Sequence, residues 1–469
     1  MQIAANQETV KPLDDQRIRR SRQGLPVCIP VQHRRDILRG DRKIISLWMS
    51  LFALYRVLEC PGKVKLSTIT DPGVSLPDEY LLQWEQSFME TIKILDQRFK
   101  IPPDIRPSTL PLEPSRGLEL VKGTVPKLVI EVFPIFKSGP SGFTRGKKAM
   151  TNHDWDVLVT SAKAIKFTPL SMEMIRWCML TGNNLFLQII EMFSQYQYPS
   201  YSPSFNEVGE PRNNILGRLA ALNEPAGKVR VIAMLDPYTQ WLMYPLHKAL
   251  FKLFEKIPMD GTMDQIAPLN RLMSKLQEQG MKNVYSFDLT AATDRLPVAI
   301  QSRILDYMLG SELGQTWRRI MTDRHFSFPL TKDESMRGVD RCEEIKYAVG
   351  QPMGAYSSWA MLNLTHHLII QWAYQRSSDY KVGTLFEGYA VLGDDVVIGS
   401  DSVADHYLII MKELGVEINL SKSLLSRNGS CEFAKRYYVG YQDASPLSFK
   451  ELNAASVCNS IAVELCRKL

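Results

Sequence analysis

The sequence is poor in cysteine and histidine and holds no long apolar run. Its seven cysteines are scattered from Cys28 to Cys466 without a Cys-x-x-Cys pair. That spacing argues against both a thiolate zinc site and a disulfide framework, and fits a reducing compartment. Two of the seven histidines, His366 and His367, are adjacent. Neighbours on a helix point in different directions, so these read as packing or hydrogen-bonding groups rather than as ligands of one metal. The longest uncharged apolar stretch, Ile44 to Tyr55, is closed by Arg56. It is too short to cross a bilayer and reads as a buried helix running towards Pro61-Gly62. No transmembrane segment and no signal peptide is legible, and Glu8, Asp14 and Asp15 spoil the Arg-rich start as an import presequence. Internal repeats and low-complexity tracts are absent too.

A dominant charge is also lacking, with 56 Lys and Arg against 50 Asp and Glu and a formal net charge of +6. This surplus permits a polyanionic partner without requiring one. Its placement says more: nine Lys or Arg residues fall between Arg17 and Lys43, against only Asp36 and Asp41. The run reads either as a solvated arm or as a surface for backbone phosphates. The chain has 469 residues, 45% hydrophobic and 23% charged, an ordinary globular composition too long for one simple core, which predicts two or three lobes.

Residues 154–196 read as helical. A Gly139-Pro-Ser-Gly142 turn precedes the basic Arg145-Gly146-Lys147-Lys148. After Pro211 the character changes. Lys228-Val-Arg-Val-Ile-Ala alternates as a strand with its charges on one face. Residues 238–256 read as an amphipathic helix. Pro268 to Gln279 reads as another, with Leu269, Leu272, Met273 and Leu276 on one stripe and Gly280 as its stop. Short strands near 284–289 and 389–398, each beside a long helix, predict an α+β lobe.

Four segments carry chemistry. In Val284-Tyr-Ser-Phe-Asp288-Leu-Thr-Ala-Ala-Thr-Asp294, an apolar strand delivers Asp288 at its end and Asp294 stands at a helix N-cap. In Tyr389-Ala-Val-Leu-Gly393-Asp394-Asp395-Val-Val-Ile, two apolar runs flank a tight turn with two carboxylates, the pattern of a β-hairpin. Glu224-Pro-Ala-Gly-Lys228-Val-Arg230 sets two cations on one strand face, either an exposed face or a clamp for phosphates. Gly350-Gln-Pro-Met-Gly354-Ala-Tyr-Ser357-Ser358-Trp359 is a glycine-flanked loop opening a long apolar helix over about 355–375, either a plain helix entry or a seat for ribose and phosphate oxygens. Joining two nucleotides by in-line attack on an α-phosphate is served well by two Mg²⁺ ions held by a few convergent carboxylates. Asp288 and Asp394 are distant in sequence, so only tertiary folding can bring them together.

In this order the segments resemble the viral RNA-dependent RNA polymerases of right-hand type, and among them the mitoviruses and their relatives, including copies captured in plant genomes. Asp288 to Asp294 resembles motif A, Gly350 to Trp359 motif B, Gly393-Asp394-Asp395 motif C and Glu224 to Arg230 motif F. Asn419-Leu-Ser-Lys422-Ser resembles motif D, and Glu432 to Arg436 through Ser445-Pro446 motif E. Asp260-Gly-Thr-Met-Asp-Gln265 and His366-His367 also look mitoviral, with no chemical role of their own. The resemblance spans roughly residues 35–455, and the ordered set is more specific than any member.

The resemblance implies an α+β right-hand fold of fingers and palm with a reduced or missing thumb. Residues 1–280 would be N-terminal extension and fingers. Residues 281–435 would be palm, with motifs A to D and finger insertions, and 436–469 the rest of motif E and a rudimentary thumb. The implied reaction is addition of ribonucleoside monophosphates to an RNA 3′ end on an RNA template, for viral replication. Its implied partners are RNA template, product duplex and ribonucleoside triphosphates, with two Mg²⁺ or Mn²⁺ ions and, by family habit, a mitochondrial location.

On the same resemblance, Asp288 and Asp394 would bind the metals with Asp395 auxiliary, and Lys422 would protonate pyrophosphate. Lys228 and Arg230 would hold the triphosphate, Asp294 would meet the ribose 2′-hydroxyl, and Gly354, Ser357 and Asn363 would line the nucleotide site. The common motif B pattern has asparagine four residues after a hydroxyl residue, whereas Met361 and Leu362 stand there and Asn363 is offset. Ser141 stands where the relatives have asparagine. From Ala454 to Leu469 a single short helix with Val457, Ile461 and Leu465 as its stripe is expected, too little for an independent lobe, which predicts short products or a need for a partner segment. Two alternatives stand beside this reading. One is a catalytically silent RNA-binding remnant, against which the joint survival of Lys228, Arg230, Asp288, Asp394 and Asp395 counts. The other is a reverse transcriptase, against which Gly393 and the Asp288-to-Asp294 spacing count.

Overall fold

Short apolar strands must satisfy their backbone groups in sheets. The computed structural model of the protein describes residues 5, 18–58, 62–107, 128–130, 152–196, 216–310, 312–329 and 342–468. Among these, the strands are Gly217–Glu224 (β1), Lys228–Leu235 (β2), Val284–Phe287 (β3), Phe326–Pro329 (β4), Cys342–Ile345 (β5) and Tyr389–Leu392 (β6). Asp395–Ile398 (β7), Leu424–Ser426 (β8), Cys431–Phe433 (β9), Arg436–Val439 (β10) and Gln442–Asp443 (β11) follow. They form three sheets, ordered β2-β1-β4-β5, β6-β7-β3-β8 and β11-β10-β9, set among many helices in an α+β fold.

The β6-β7-β3-β8 sheet is antiparallel throughout and is covered on both faces. Successive side chains of a strand point to opposite faces, and burial follows that period. Phe287, Tyr389, Val391, Val396 and Ile398 enter the main core, with helices Ser358–Arg376 and Asp401–Glu413. Val284, Ala390 and Val397 face the other way, onto Leu269, Leu272, Met273 and Leu276 of helix Ala267–Glu278 and onto Cys431 and Phe433 of β9. The stripe expected on residues 268–279 is therefore the one buried. Helix Ser358–Arg376 is buried at every position from Ala360 to Tyr374, polar residues included. Such a helix has no solvated side, so its Asn, Thr, His and Gln side chains must find partners inside.

Strands β1 and β2 form a long hairpin, paired from Gly217 with Leu235 to Glu224 with Lys228. Its base is tied to helix Pro237–Phe254 by a buried ion pair, Arg324 Nη1 to Asp236 Oδ2 at 2.9 Å. Asp236 also accepts the Thr239 backbone N–H at 2.8 Å as the helix N-cap, while Arg324 donates to the carbonyl of Leu216 at 3.1 Å.

Several elements differ from their sequence readings. The apolar stretch from Ile44 forms helix Arg42–Phe52 and a 3₁₀ turn Ala53–Val57, but Leu47, Leu51 and Phe52 stay 40–45% exposed. Only one edge packs, through Ile45, onto a small cluster with Leu25, Ile29 and Ile37. Helix Pro237–Phe254 is amphipathic only in its second half, where Lys248 and Lys252 are exposed opposite buried Leu246, Leu250 and Leu253, since Pro237 through Met243 are all buried. The C-terminal stretch forms two helices, Phe449–Ala455 and Asn459–Lys468, and Val457 lies exposed between them while Leu465 is buried. The Gly139–Gly142 turn, Ser141 and the basic Arg145–Lys148 lie outside the described residues. No helix among the described residues is long and apolar enough to cross a membrane.

Removing one partner of a buried pair strands the other charge, at a cost of about 3–5 kcal/mol. Asp236→Ala is therefore expected to lower the unfolding free energy by about that much in urea titration; a loss below about 1 kcal/mol, the worth of an exposed pair, contradicts the pair's structural role.

Candidate active site

Strand register brings the distant carboxylates together. β3 pairs with β7 through Tyr285–Ile398, Ser286–Val397 and Phe287–Val396. One step further along both strands lie Asp288 and Asp395. Asp394 occupies the β6–β7 turn, which is closed by the Leu392–Asp395 pair. Gly393 makes that turn possible: its φ is +62°, and a Cβ there would meet Trp359 Nε1 at 2.7 Å.

Like charges crowded at one sheet end raise one another's pKa. Burial, then the charges of Asp394, Glu432 and Asp288, push the Asp395 carboxyl up to about 7, against a hydrogen bond from the Ala434 backbone. The surrounding protein, and then Asp288, raise Asp394 as well, while Arg230 and Lys228 pull it back down. Asp394 is exposed at the turn tip, so water screens much of that effect. Among the described residues, no group of three or more His, Cys, Asp or Glu is arranged to hold a metal ion.

Asp288 is fixed by its main chain. Its N–H donates to Ser423 Oγ at 3.2 Å, its carbonyl accepts the Asn419 N–H at 2.9 Å, and Leu289 bridges Ile418. These contacts bring the Asn419–Ser423 segment alongside, and Lys422 Nζ lies 3.7 Å from Asp288 Oδ2. On the β1–β2 hairpin, Arg230 Nε is 2.8 Å from Glu224 Oε1 and Lys228 Nζ is 3.7 Å from Glu224 Oε2. Glu224 thus neutralises part of the cationic face.

The loop before helix Ser358–Arg376 is a strut. Its Gly350 N–H donates to the Asp294 carbonyl and its Gln351 N–H to that of Thr293, while Met353's carbonyl accepts the Ala233 N–H of β2 at 2.7 Å. Gly354 has φ +113°, and a Cβ there would sit 2.6 Å from the Ala233 carbonyl oxygen. Its close approach is therefore to β2. Ser357 is fully buried at φ +69°, with Oγ accepting from Trp317 Nε1 at 2.9 Å. Asn363 is fully buried too, and both ends of its amide are engaged: Nδ2 donates to Asp260 Oδ2 at 2.6 Å and Oδ1 accepts the Gly393 N–H at 2.7 Å. Of the three residues expected to line the nucleotide site, Ser357 and Asn363 are thus buried with their polar atoms bonded to protein groups, whereas Gly354 is exposed in the loop.

Asp294 is inside the short helix Ala292–Arg295, whose N-cap is Ala291, so it is not the N-cap expected. Its Oδ2 accepts from Thr68 Oγ1 at 2.8 Å, and its buried Oδ1 has no partner among the described residues. Burial raises its pKa, against the Thr68 hydrogen bond and the Arg295 charge.

Comparison with known sequences decides the family. The profile described as mitovirus RNA-dependent RNA polymerase matches residues 129–465. The chain belongs to this family. It is 32% identical over 417 residues to the RNA-directed RNA polymerase of Cryphonectria parasitica mitovirus 1 (strain American chestnut tree/New Jersey/NB631), covering 88% of this chain and 45% of that protein. It is 36% identical over 200 residues to an uncharacterized mitochondrial protein of Arabidopsis thaliana, covering 42% of this chain and 75% of that one. The chain thus spans less than half the length of the viral relative. Among solved structures it is similar to the RNA-dependent RNA polymerase of a human picorbirnavirus, at 16% identity and a TM-score of 0.36, covering 48% of this chain and 43% of that one.

Within this mitovirus-family chain, the groups that sequence reasoning left without a role stand behind the carboxylate turn. Asp260, His366 and His367 are buried next to Gly393 and β6. Burial brings His366 down to about 4, so its ring is neutral. Glu224 and Glu432, which tune the cations and Asp395, were also without a role. Their only signal was a place at the start of a motif, Glu224 in motif F and Glu432 in motif E.

A carboxyl raised in the fold destabilises it as pH climbs from the unfolded pKa through the folded one, because the folded state then has to release a proton it holds more tightly. For Asp395 that window runs from the ordinary carboxylate value to about 7. In metal-free buffer, Asp395→Asn is expected to melt higher than the parent at pH 8, with the gap closing towards pH 4. A lower melting temperature at pH 8 contradicts the crowding of like charges.

Proposed function

We propose that this chain forms fingers and palm of an RNA-dependent RNA polymerase and adds ribonucleoside monophosphates to an RNA 3′ end on an RNA template. The observation that carries the reading is the meeting of Asp288 with the Asp394-Asp395 turn at one end of an antiparallel sheet, faced by Lys228 and Arg230. Family membership supports the same reaction class.

The donors fit divalent metal of the hard kind. They are carboxylate oxygens whose mutual repulsion a cation relieves. Asp288 and Asp394 would hold two Mg²⁺ or Mn²⁺ ions, with Asp395 as an auxiliary ligand. Such ions, when bound, supply Lewis acidity to the attacking 3′-hydroxyl and to the departing pyrophosphate. Everything else falls to the chain. Arg230 and Lys228 exchange Glu224 for the triphosphate, whose charge is larger and whose oxygens suit a guanidinium fork. Asp294 offers its unpartnered Oδ1 to the ribose 2′-hydroxyl, the group that distinguishes RNA precursors from DNA precursors. Lys422, mostly exposed beside Asp288, donates a proton to pyrophosphate as it leaves. Product and template are held chiefly by phosphate contacts outside this cluster. Replication of a viral genome is the role that follows, and similarity to a mitochondrial plant protein as well as to a mitovirus enzyme supports mitochondria as its place.

Asp394→Asn is expected to abolish nucleotide addition in a primer-extension assay while RNA affinity by filter binding stays near the parent's. Residual extension at about a tenth of the parent rate corresponds to only ~1.4 kcal/mol and is too small a loss for a metal ligand. Arg230→Ala is expected to raise the KM for nucleoside triphosphates and leave RNA affinity unchanged. The reverse pattern would move β2 to the template path.

A further inference from the structure

The Gly393 peptide is gripped from behind at both of its hydrogen-bonding groups. Its N–H donates to Asn363 Oδ1 at 2.7 Å, and its carbonyl lies 2.7 Å from His366 Nδ1. A carbonyl can only accept, so the proton of the neutral imidazole sits on Nδ1. His366 Nε2 is then an acceptor, and it lies 2.7 Å from the Tyr407 hydroxyl, which donates to it. Asn363 is oriented in turn by Asp260, and Asp260 Oδ2 also takes a hydrogen bond from His367 Nε2 at 2.8 Å. Tyr389 at the start of β6 lies 2.8 Å from His367 Nδ1, and the Thr262 N–H donates to Asp260 Oδ1 at 2.7 Å. Burial raises the Asp260 pKa, but the hydrogen bonds of His367 and Thr262 outweigh it and the net shift is downward, so a carboxylate anchors the network. Asp260, Asn363, His366 and His367 are all at least nine-tenths buried.

Four polar side chains inside an apolar core are costly unless each finds a partner, and here two of them, Asn363 and His366, meet at the one residue that precedes both turn carboxylates. In a two-residue hairpin the flanking Leu392–Asp395 pair makes the closing contact, and the central glycine's own peptide groups are not needed for it; here both are held by side chains of a single buried helix. We infer that Asn363 and His366, backed by Asp260, His367 and Tyr407, are positioning residues that fix the peptide plane of Gly393 and so aim the Asp394 and Asp395 carboxylates for cation binding. They touch neither substrate nor metal. The inference rests on the reading of those carboxylates as ligands and gives the Asp260-to-Gln265 and His366-His367 segments the function they lacked.

Groups that orient metal ligands typically change metal affinity by about 10–100-fold when lost. The test is a Mn²⁺ titration of the full chain, with free Mn²⁺ read by electron paramagnetic resonance, beside thermal unfolding and RNA filter binding. His366→Phe keeps the ring volume but loses the donor; it is expected to weaken Mn²⁺ about tenfold while RNA affinity holds. His366→Asn places an amide N–H near the lost Nδ1–H and is expected to recover most of that loss. Tyr407→Phe, a smaller change that also covers the case of a misfolded His366→Phe, is expected to weaken Mn²⁺ a few-fold by releasing the tautomer. Asp394→Asn should remove the site. Parent-like Mn²⁺ affinity in folded His366→Phe or in Tyr407→Phe, or a His366→Asn no better than His366→Phe, overturns the inference. So does a parent whose Mn²⁺ binding is indifferent to Asp394→Asn. Primer extension on the same preparations is judged separately: a parent that binds Mn²⁺ through Asp394 yet extends no RNA counts against the polymerase reading alone.

Discussion

Antiparallel pairing of β3 with β7 forces like charges together, and much of the surrounding structure answers that constraint. The register that buries Phe287, Val396 and Ile398 on the main core also leaves Asp288 and the Asp394-Asp395 turn at the same sheet end. Slipping one strand by a single residue would turn every apolar side chain of that strand to the wrong face. Hydrophobic burial therefore wins, and the carboxylates are held in a state they would not choose. Burial, and then the charges of Asp394, Glu432 and Asp288, push the Asp395 carboxyl up to about 7.

Two responses surround the strained end. From the front, Lys228 and Arg230 stand on a hairpin whose base is locked to helix Pro237–Phe254 by the buried Arg324–Asp236 pair. Their charges are partly occupied by Glu224, so they remain exchangeable. From behind, helix Ser358–Arg376 pushes Asn363, His366 and His367 into the core, where they bond to the turn and to Asp260. The loop entering that helix braces β2 and the Ala292–Arg295 segment at once. A rigid frame of this kind lets a site carry uncompensated charge until a ligand arrives.

The parts of this plan that depend on periodic burial, of period two in strands and 3.6 in helices, were legible in the sequence. The strands around Asp288 and Asp394, the Leu269–Leu276 stripe and the alternation of Lys228 with Arg230 are all local patterns with one physical solution. Partnership was not legible. An asparagine in an apolar helix announces that it needs a partner, but nothing local names Asp260 and Gly393. The resemblance to motif B set Asn363 and Ser357 beside the nucleotide, and their polar atoms bond to protein groups. Exposure was equally hidden. The Arg42–Phe52 helix is as apolar as a core helix, and its sequence does not say that only one edge finds a surface to cover it. Asp294 shows the limit of local capping rules, because its side chain turns to Thr68, far away in the chain.

Carboxylates brought together by strand pairing are proposed to hold divalent cations for nucleotide addition. The most direct test is incorporation of labelled ribonucleotides by the purified chain on an RNA template, with Mg²⁺, with Mn²⁺ and with chelator. The account predicts template-directed products that need a divalent ion and cease on chelation. Incorporation that persists in chelator, or RNA binding with no incorporation at any concentration of either ion, would contradict it.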